Sequence, residues 1–501
     1  MKKEEYTTAR KGSFGGKLLL GQMMHYGVGI GGPAIISAIS TAVFTRMFDV
    51  HTYGLFTVVL AAVTLAVSFA GQWLMQPLGR FLAVASTEEA AGLLRATWLG
   101  LGLLTCAVIL AVICVVLFVP QVQSAYTPFL LPAVLFFWLQ LFLSCATVAV
   151  QARMESKYYS QQQIILAFSR LGGSLILIWL IKNDSVMLIW ATVLATIIVL
   201  PGALRKSGLH QEIFYRPLAV DAWLTLRKMS KYGFPMMGWF VATNALSSSD
   251  RIVIAIYRGS GEAGIYGANY NLMNGTVGLV TAPVLAATWP FLMKAWGNGD
   301  VKQAGLWLGR VATGVLSGGL ILCGAAALLA TDVAELLLGD AFREGAMVMP
   351  TVVGGMVALS VATYANKPFE FRQKLRPMVL AGIAVAIANI ALNLAFVPRY
   401  GYMASAWITL ACYIVYAVYA TVVGRRLLRW HWDLRLVVFT LLGVLSGYVL
   451  GRILMNIMID YHALARLLGG SIAYGFCVVS IMSVIYREKL RSIFVRRCVG
   501  N

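Results

Sequence analysis

Apolar residues run along the chain in long stretches, separated by short polar connectors, from Lys17 to Tyr486. An α-helix needs about 20 mostly apolar residues to cross a hydrocarbon core of roughly 30 Å. About fourteen stretches reach that length, so the pattern predicts an all-α polytopic membrane protein. The predicted spans are residues 17–45, 52–78, 96–119, 129–151, 160–181, 185–204, 231–257, 264–293, 303–330, 346–366, 378–397, 402–424, 434–455 and 466–486.

The overall composition supports a bilayer as the solvent of this chain. Hydrophobic residues make up 59% of the 501 positions and charged residues only 12%, and the mean hydropathy is +0.78. A soluble domain of this size needs more polar surface. The cysteines lie mostly in apolar stretches without CxxC pairs or neighbouring histidines, so we expect neither a disulfide framework nor a metal site. They are Cys106, Cys114, Cys145, Cys323, Cys412, Cys477 and Cys498.

The placement of the basic residues gives the expected orientation. The chain has 40 Lys and Arg against 20 Asp and Glu, a net charge of +20, and most of the basic residues fall on one side of the predicted spans. The positive-inside rule then places both termini in the cytosol. The segment before the first span has no signal-peptide cleavage site, so we expect a retained cytosolic tail. The net positive charge is therefore explained by the orientation of the chain in the membrane. Nucleic acid is not an expected partner.

Two segments resemble each other and indicate an internal repeat. FTRMFDVHTYGLFTVV (44–59) and IYRGSGEAGIYGANYN (256–271) each read as a helix end, a short loop and a Tyr-Gly pair that opens the next helix. The spacing between these pairs also separates Pro77 from Pro290. Repeats of this kind are common in polytopic membrane proteins and enclose a central cavity. The predicted divisions are a six-helix lobe in 1–213, a second six-helix lobe in 214–430, and two further helices with a basic cytosolic tail in 431–501.

The glycine-rich sequence GVGIGG, from Gly27 to Gly32, formally matches a dinucleotide-binding fingerprint. That fingerprint requires a preceding strand and a βαβ context, whereas here it lies inside an apolar helix before Pro33. We interpret it as a site of close helix packing and a bend. The sequence GxxxxGK[ST] does not occur, so we expect no ATPase activity and no cofactor.

Few charges fall inside the predicted spans. A charged side chain at mid-bilayer costs at least about 2.5 kcal/mol, so it usually faces a cavity or a partner. Arg170 has no acidic residue within one turn, and we leave open whether it lines the cavity or pairs with a helix end. Asp250 and Arg251 are adjacent, so they either neutralise each other or contact a ligand. His25, alone on the first span, is either a packed histidine or a proton carrier.

Three further basic residues lie near the predicted cytosolic ends of spans, namely Arg80, Lys231 and Lys294. Long basic side chains at such positions extend to the lipid headgroups, which explains them without a function. The repeat also pairs some of these helices across the predicted cavity. A basic cytosolic vestibule is therefore the alternative interpretation.

The carboxylates argue against a membrane enzyme. Every connecting loop is short, and the longest runs from Arg205 to Ser230, so no catalytic domain has room to fold outside the membrane. Lipid-linked glycosyltransferases and hydrolases need carboxylates beside a reacting sugar or metal, and one outer loop offers the only cluster. We interpret that cluster as a solvated turn and expect no enzymatic activity. It consists of Asp332, Glu335, Asp340 and Glu344.

Three sequence segments together carry a resemblance to a known family. They are RMFDVHTYGLF (46–56), SSDRIVIAIYRGSGEAGIYGANYNL (248–272) and NLAFVPRYGYMASAW (393–407). In their order and spacing, the chain resembles the polysaccharide-synthesis branch of the multidrug/oligosaccharidyl-lipid/polysaccharide (MOP) exporter superfamily, which includes the Wzx flippases of O-antigen and exopolysaccharide synthesis. The resemblance covers about residues 15–430.

This resemblance implies a two-lobed transporter in the bacterial inner membrane that moves an undecaprenyl-diphosphate-linked oligosaccharide by alternating access. The arginines and the scarcity of carboxylates suit an anionic diphosphate. The resemblance also implies sugar contacts through scattered side chains such as Asn244, Asn274 and Trp239. A polysaccharide polymerase and chain-length machinery are the implied partners, and coupling to H+ or Na+ is left open, with His25 and Asp250 as titratable candidates.

Two other functions remain as alternatives. A drug/cation antiporter of the same superfamily predicts an essential acidic residue in the cavity, and Asp250 is the one candidate inside a predicted span. A membrane polysaccharide polymerase or ligase predicts a large outer loop with reactive residues, and the longest outer segment, 331–345, is short for that purpose.

Overall fold

The computed structural model describes residues 16–118, 126–212, 220–297 and 299–498. This part of the chain contains fourteen long α-helices and no strand, so the predicted all-α fold is confirmed. The helices are α1 Gly16–Met47, α2 Val50–Leu82, α3 Thr87–Phe118, α4 Thr127–Ala152, α5 Ser156–Leu180, α6 Val186–Ser207, α7 Val220–Arg258, α8 Ser260–Gly297, α9 Val301–Leu337, α10 Met349–Ala365, the pair α11 and α12 in Leu375–Leu427, α13 Leu434–Ile457 and α14 Ala463–Cys498.

The segment Leu375–Leu427 is two helices that meet at Gly401. At 1.5 Å per residue its 53 residues would extend for about 80 Å, more than twice the hydrocarbon thickness. Gly401 has φ 64° and ψ −160°, outside the helical region. Because an L side chain rarely adopts a positive φ, glycine suits the break. The helices on either side, α11 (375–400) and α12 (402–427), contain the predicted spans 378–397 and 402–424.

Ten helical segments in the described residues are long and apolar enough to cross a bilayer. Leu375–Leu427, which contains α11 and α12, counts as one of them. The other three helices, α3, α7 and α8, are 32, 39 and 38 residues long, which is ample for a span. The chain is a multi-pass membrane protein.

The described residues of the longest predicted loop, 205–212 and 220–230, are largely helical. Helix α6 continues to Ser207, a 3-10 turn covers Leu209–Glu212, and α7 begins at Val220, eleven residues before the predicted span. The early start follows from Ala222, Leu226 and Met229, which repeat at helical spacing and are buried on one face. The prediction of a loop here was wrong because polar residues on the opposite face of the helix interrupt the apolar residues along the sequence.

Contacts between Cα atoms divide the chain into two compact units. The first comprises the described parts of Met1–Ile36, Ala66–Met237 and Gly278–Pro290. Within it, α4 and α5 pack against α6, and the Leu209–Glu212 turn packs against α3 and α6. Two contacts attach the turn to α3: Arg95 pairs with Glu212 at 2.7 Å, and the Trp98 indole donates a hydrogen bond of 2.8 Å to the Leu209 carbonyl.

The second unit comprises the described parts of Ser37–Leu65, Gly238–Val277 and Phe291–Asn501. In it, α13 and α14 form a hairpin that packs on α9. The Tyr474 hydroxyl donates a hydrogen bond of 2.7 Å to the Ile321 carbonyl of α9. Its ring lies where a side chain at Gly324 or Gly447 would stand, so two glycines make room for the aromatic contact. The last two helices are therefore integral to this unit.

The two copies of the Tyr-Gly motif meet in one helix contact in the second unit. Tyr53 and Tyr266 are both buried. A Cβ atom at Gly54 of α2 would overlap the Ser260 carbonyl of α8, and one at Gly267 of α8 would lie 3.2 Å from Thr57 of α2. Both glycines thus serve close approach of the same two helices. The division into two six-helix lobes stays a prediction.

Candidate functional site

Asp250 lies on α7 and is completely buried, and the two residues before it in the sequence, Ser248 and Ser249, are also buried. Its Oδ2 accepts a hydrogen bond of 2.7 Å from the Tyr266 hydroxyl of α8 and one of 2.9 Å from the Thr409 hydroxyl of α12. Its Oδ1 has no hydrogen-bond partner among the described residues. One carboxylate oxygen is therefore stabilised by two hydroxyl donors, and the other makes no hydrogen bond to the described residues.

A chain of hydrogen bonds leads from Asp250 through α12 into α11. The Asn389 amide donates to the Thr409 hydroxyl at 3.0 Å, the Asn393 amide donates to Asn389 Oδ1 at 3.2 Å, and the Ser405 hydroxyl donates to Asn393 Oδ1 at 2.5 Å. Each donor is directed along the chain toward the carboxylate. Such linked bonds strengthen one another in a low-dielectric interior. We call these buried residues the Asp250 cluster: Asp250, Tyr266, Asn389, Asn393, Ser405 and Thr409.

A small cavity lies beside the Asp250 cluster. Its volume is about 10 Å³, and Tyr266 and Thr409, the two donors to Asp250, are part of its lining together with Tyr270 and Tyr413. A space of this size holds about one water molecule. The two hydroxyl donors to the buried Asp250 carboxylate thus lie on the wall of a cavity of about this size.

Arg251 follows Asp250 in sequence but has different partners. It is 7% exposed, its Nη2 donates a hydrogen bond of 2.9 Å to Asn271 Oδ1, and its guanidinium carbon lies 4.7 Å from the Tyr270 ring centroid. Within the described part of the chain, no ion pair joins it to Asp250, and its Nε has no partner. Consecutive residues point about 100° apart around a helix, so the two side chains reach different neighbours.

Arg170 is a half-buried guanidinium on α5 in the first unit. Its guanidinium carbon lies 5.9 Å from the ring centroid of Phe136 on α4. Its Nε is buried and makes no hydrogen bond to any described residue. A buried donor on a permanent cation is costly to leave unpaired, and none of the described residues supplies an acceptor for this one.

The three basic residues at the predicted cytosolic ends differ in their surroundings. Arg80 is exposed, and its guanidinium carbon lies 4.6 Å from the ring centroid of Tyr232 on α7. Lys231 is exposed. The side chain of Lys294 lies outside the described residues. Arg80 and Lys231 belong to the same unit, and the basic cytosolic vestibule stays a prediction.

The remaining predicted site residues are scattered. His25 and Asn274 are exposed. The Asn244 amide donates a hydrogen bond of 2.8 Å to the Phe240 carbonyl of its own helix, and the Trp239 ring lies 5.0 Å from that of Tyr416. None of these residues joins the Asp250 cluster, so their predicted contacts with sugars remain predictions.

Five members of the Asp250 cluster were not predicted as site residues, namely Tyr266 and the four polar residues of α11 and α12. Asn389 and Asn393 lie four residues apart on α11, and Ser405 and Thr409 lie four apart on α12. Residues four apart lie on the same face of a helix. Two polar pairs at this spacing in otherwise apolar spans were the available signal, and they lie on either side of the Gly401 break.

Three of the four outer carboxylates are paired with arginines. Asp332 and Glu335 accept from Arg466 at 2.7 and 2.6 Å, and Asp340 pairs with Arg343 at 2.6 Å. No group of three or more potential metal ligands occurs in the residues the structure describes. The pairs of Arg466 with Asp332 and Glu335 join the end of α9 to the start of α14, and the interpretation of the cluster as a structural turn stays a prediction.

Comparison with known proteins supports the fold and the family. Residues 22–296, more than half of the chain, match the family described as polysaccharide biosynthesis protein. The chain belongs to this family. The resemblance to the polysaccharide-synthesis branch of the exporter superfamily is thereby confirmed. No curated protein matches the sequence.

Solved structures of a flippase and of MATE transporters share this fold. The lipid II flippase MurJ in an inward closed conformation superposes with a TM-score of 0.74 at 13% identity, over 91% of this chain and 98% of that one. A multidrug resistance MATE transporter in an outward-facing conformation gives 0.54 at 12%, over 83% and 98%. A mutant of the Vibrio cholerae MATE transporter VcmN gives 0.52 at 13%, over 82% and 96%. At these identities the likeness establishes the fold of this family member.

Proposed function

We propose that this protein is a flippase that moves an undecaprenyl-diphosphate-linked oligosaccharide across the bacterial inner membrane by alternating access, for the synthesis of O-antigen, exopolysaccharide or capsule. Membership of the polysaccharide biosynthesis family supports this substrate class. The fold supports transport, because it is shared with a lipid II flippase. Both termini lie in the cytosol in this proposal, as the distribution of Lys and Arg predicts.

The observation that carries the proposal is the unpaired guanidinium of Arg170. A diphosphate offers several anionic oxygens, and arginine binds such groups through two parallel hydrogen bonds. Arg170 has a buried Nε donor without a partner among the described residues. We assign it to the diphosphate of the cargo, with Phe136 supporting the guanidinium plane.

The Asp250 cluster is proposed to couple transport to an ion. Asp250 Oδ1 is unpartnered and lies in a buried polar site, so a proton or a sodium ion bound there would neutralise a costly buried charge. Sodium favours oxygen ligands, and the cluster provides carboxylate, amide and hydroxyl oxygens. The bond from Thr409 to Asp250 joins α12 to α7, so ion binding would act on the packing of these helices.

The drug/cation antiporter is the second candidate, favoured by the free Oδ1 of Asp250. An organic cation needs an accessible carboxylate, whereas Asp250 is 0% exposed and already holds two donors. The small cavity beside it fits a guest about the size of one water. The flippase therefore accounts for more of the site, with a polymerase and chain-length machinery as the proposed partners that receive its product.

A deletion strain of the parent bacterium tests the proposal. We expect lipid-linked repeat units to accumulate facing the cytosol and surface polysaccharide to disappear, with both restored by the wild-type gene. Normal surface polysaccharide in the deletion strain would contradict the flippase. Loss of drug resistance with normal polysaccharide would instead support the antiporter.

A further inference from the structure

A second, larger cavity lies in the first unit, between the first turns of α3 and the first turns of α7. Its volume is about 430 Å³, within the usual range for small-molecule sites. Its lining includes neither Arg170 nor any member of the Asp250 cluster. Its lining residues are Phe81, Val84, Ala85, Glu88, Glu89, Gly92, Leu93, Thr225, Lys228 and Met229.

Opposite charges stand on the two walls of this cavity. Helix α3 contributes Glu88 and Glu89, and α7 contributes Lys228. Glu89 is occupied, because its Oε2 accepts hydrogen bonds from the backbone and the hydroxyl of Ser86 at 2.9 and 3.0 Å. Glu88 and Lys228 are exposed, and neither has a hydrogen-bond or ion-pair partner in the described part of the chain. The cavity therefore presents one carboxylate without a partner among the described residues, that of Glu88, and one ammonium, that of Lys228, whose charge also acts on the nearby Glu89 carboxylate.

The floor of the cavity is apolar. Leu93 and Met229 are buried beneath it, and Val84 at its rim is 84% exposed. On the neighbouring surface of α7, Trp223 and Leu224 are 55% and 56% exposed. Exposed apolar and aromatic side chains beside basic residues are typical of the level of the lipid headgroups. The cavity therefore lies at the level where the predicted topology places the cytosolic surface of the membrane.

We propose that this cavity binds the headgroup of a phosphoethanolamine phospholipid. Its ammonium group would donate to Glu88, and its phosphate would accept from Lys228 and the Thr225 hydroxyl. The glycerol and the first acyl carbons would cover the apolar floor formed by Leu93 and Met229. A zwitterionic headgroup pairs its ammonium with Glu88 and its phosphate with Lys228. An anionic headgroup would place a negative charge opposite Glu88.

The primary amine makes the proposal specific. An ammonium group has N–H donors for a carboxylate, and the trimethylated amine of phosphocholine has none. Ethanolamine lipids should therefore bind more tightly than choline lipids of the same acyl chains. Free phosphoethanolamine carries the same charges but cannot cover the apolar floor, so it should bind more weakly than the lipid.

Thermal unfolding of the purified, delipidated full-length protein in detergent tests this site. The probes are dioleoyl lipids with ethanolamine, choline or glycerol headgroups, and soluble phosphoethanolamine. We expect the ethanolamine lipid to raise the melting temperature most, and Glu88→Gln or Lys228→Gln to weaken its apparent affinity about tenfold. Gly92→Leu, which fills the cavity, should abolish the effect.

Matched controls are Glu155→Gln and Lys157→Gln, which neutralise exposed charges in another connection of the same unit. Both should respond to the ethanolamine lipid like the wild type. Equal stabilisation by choline lipid, full protection by soluble phosphoethanolamine, or an unchanged response in Glu88→Gln and Lys228→Gln would each overturn the proposal. The readout is independent of the transported cargo.

Discussion

Thr409, on α12, donates a hydrogen bond of 2.9 Å to Oδ2 of Asp250, on α7. These two residues are 159 positions apart in sequence, and both are buried. The same hydroxyl accepts from Asn389 of α11. The Thr409 hydroxyl therefore links α11 and α12 to the carboxylate on α7. Any change in the charge of Asp250 acts on all three helices.

Replacement of Asp250 by asparagine should abolish transport while the protein still folds. Asparagine keeps the size and one acceptor oxygen, so the bonds from Tyr266 and Thr409 can persist. It cannot bind a proton or complement a cation, so the proposed coupling is lost. Surface polysaccharide in a complemented deletion strain is the measurement, with membrane protein level as the control. Wild-type polysaccharide from Asp250→Asn would exclude Asp250 as the coupling group.

Thr409→Val should reduce coupling because it removes one donor to a buried carboxylate. Loss of such a bond costs about 1–3 kcal/mol. Thr192→Val is the matched control, since Thr192 is a buried threonine whose hydroxyl bonds only its own helix, at the Leu188 carbonyl. The ion dependence of transport should change in the first variant and not in the second. Equal effects would assign Thr409 a packing role.

Arg170→Ala should lose polysaccharide export at unchanged protein level, and Arg170→Lys should retain part of it. Lysine keeps the charge but lacks the planar, two-donor geometry that suits a diphosphate. Arg310→Ala is the control, because Arg310 lies in a predicted span, is exposed, and has its guanidinium carbon 6.0 Å from the Trp307 ring centroid. Disappearance of both Arg170 variants from the membrane would indicate a structural role.

Gly233→Ala should destabilise the first unit. A Cβ atom at Gly233 of α7 would overlap the backbone carbonyl of Trp73 on α2, and the adjacent Phe234 ring stacks on Trp73 with centroids 5.2 Å apart. Overpacking of this kind costs about 1–3 kcal/mol. Gly172→Ala is the control, since no atom lies within 4 Å of a Cβ there, and it should be neutral or slightly stabilising. Thermal unfolding in detergent compares the two.

Asp49 should make stability depend on acid pH. Burial acts to raise the pKa of Asp49, but hydrogen bonds from the Thr52 hydroxyl and from the backbone of Thr52 and His51 outweigh it and hold the pKa below its ordinary value of 3.8. The folded state therefore gains stability above that value and loses it as the pH falls through the lowered pKa. Asp49→Asn keeps an oxygen that accepts from the backbone N–H groups of His51 and Thr52 but has no charge. Its melting temperature should therefore fall less than that of the wild type as the pH is lowered through the pKa of Asp49.

The helices could be predicted from the sequence because the bilayer imposes length and hydrophobicity on each span. The break at Gly401 was also predictable, since Pro398 and Gly401 interrupt one apolar stretch. The start of α7 at Val220 was not, because its apolar stripe is narrow and mixed with charges. The Asp250 cluster was found only at Asp250, since polar pairs such as Asn389 and Asn393 become a site only when tertiary packing brings α7, α11 and α12 together.

Transport by the purified protein in vesicles tests the central claim most directly. A fluorescent undecaprenyl-diphosphate oligosaccharide is placed in the vesicle membrane, and an impermeant reductant quenches the label on the outer leaflet. We predict that quenching proceeds beyond the outer-leaflet fraction with the wild-type protein and stops at that fraction with Arg170→Ala. Quenching that stops at the outer-leaflet fraction with folded wild-type protein, with and without proton and sodium gradients, would contradict the flippase.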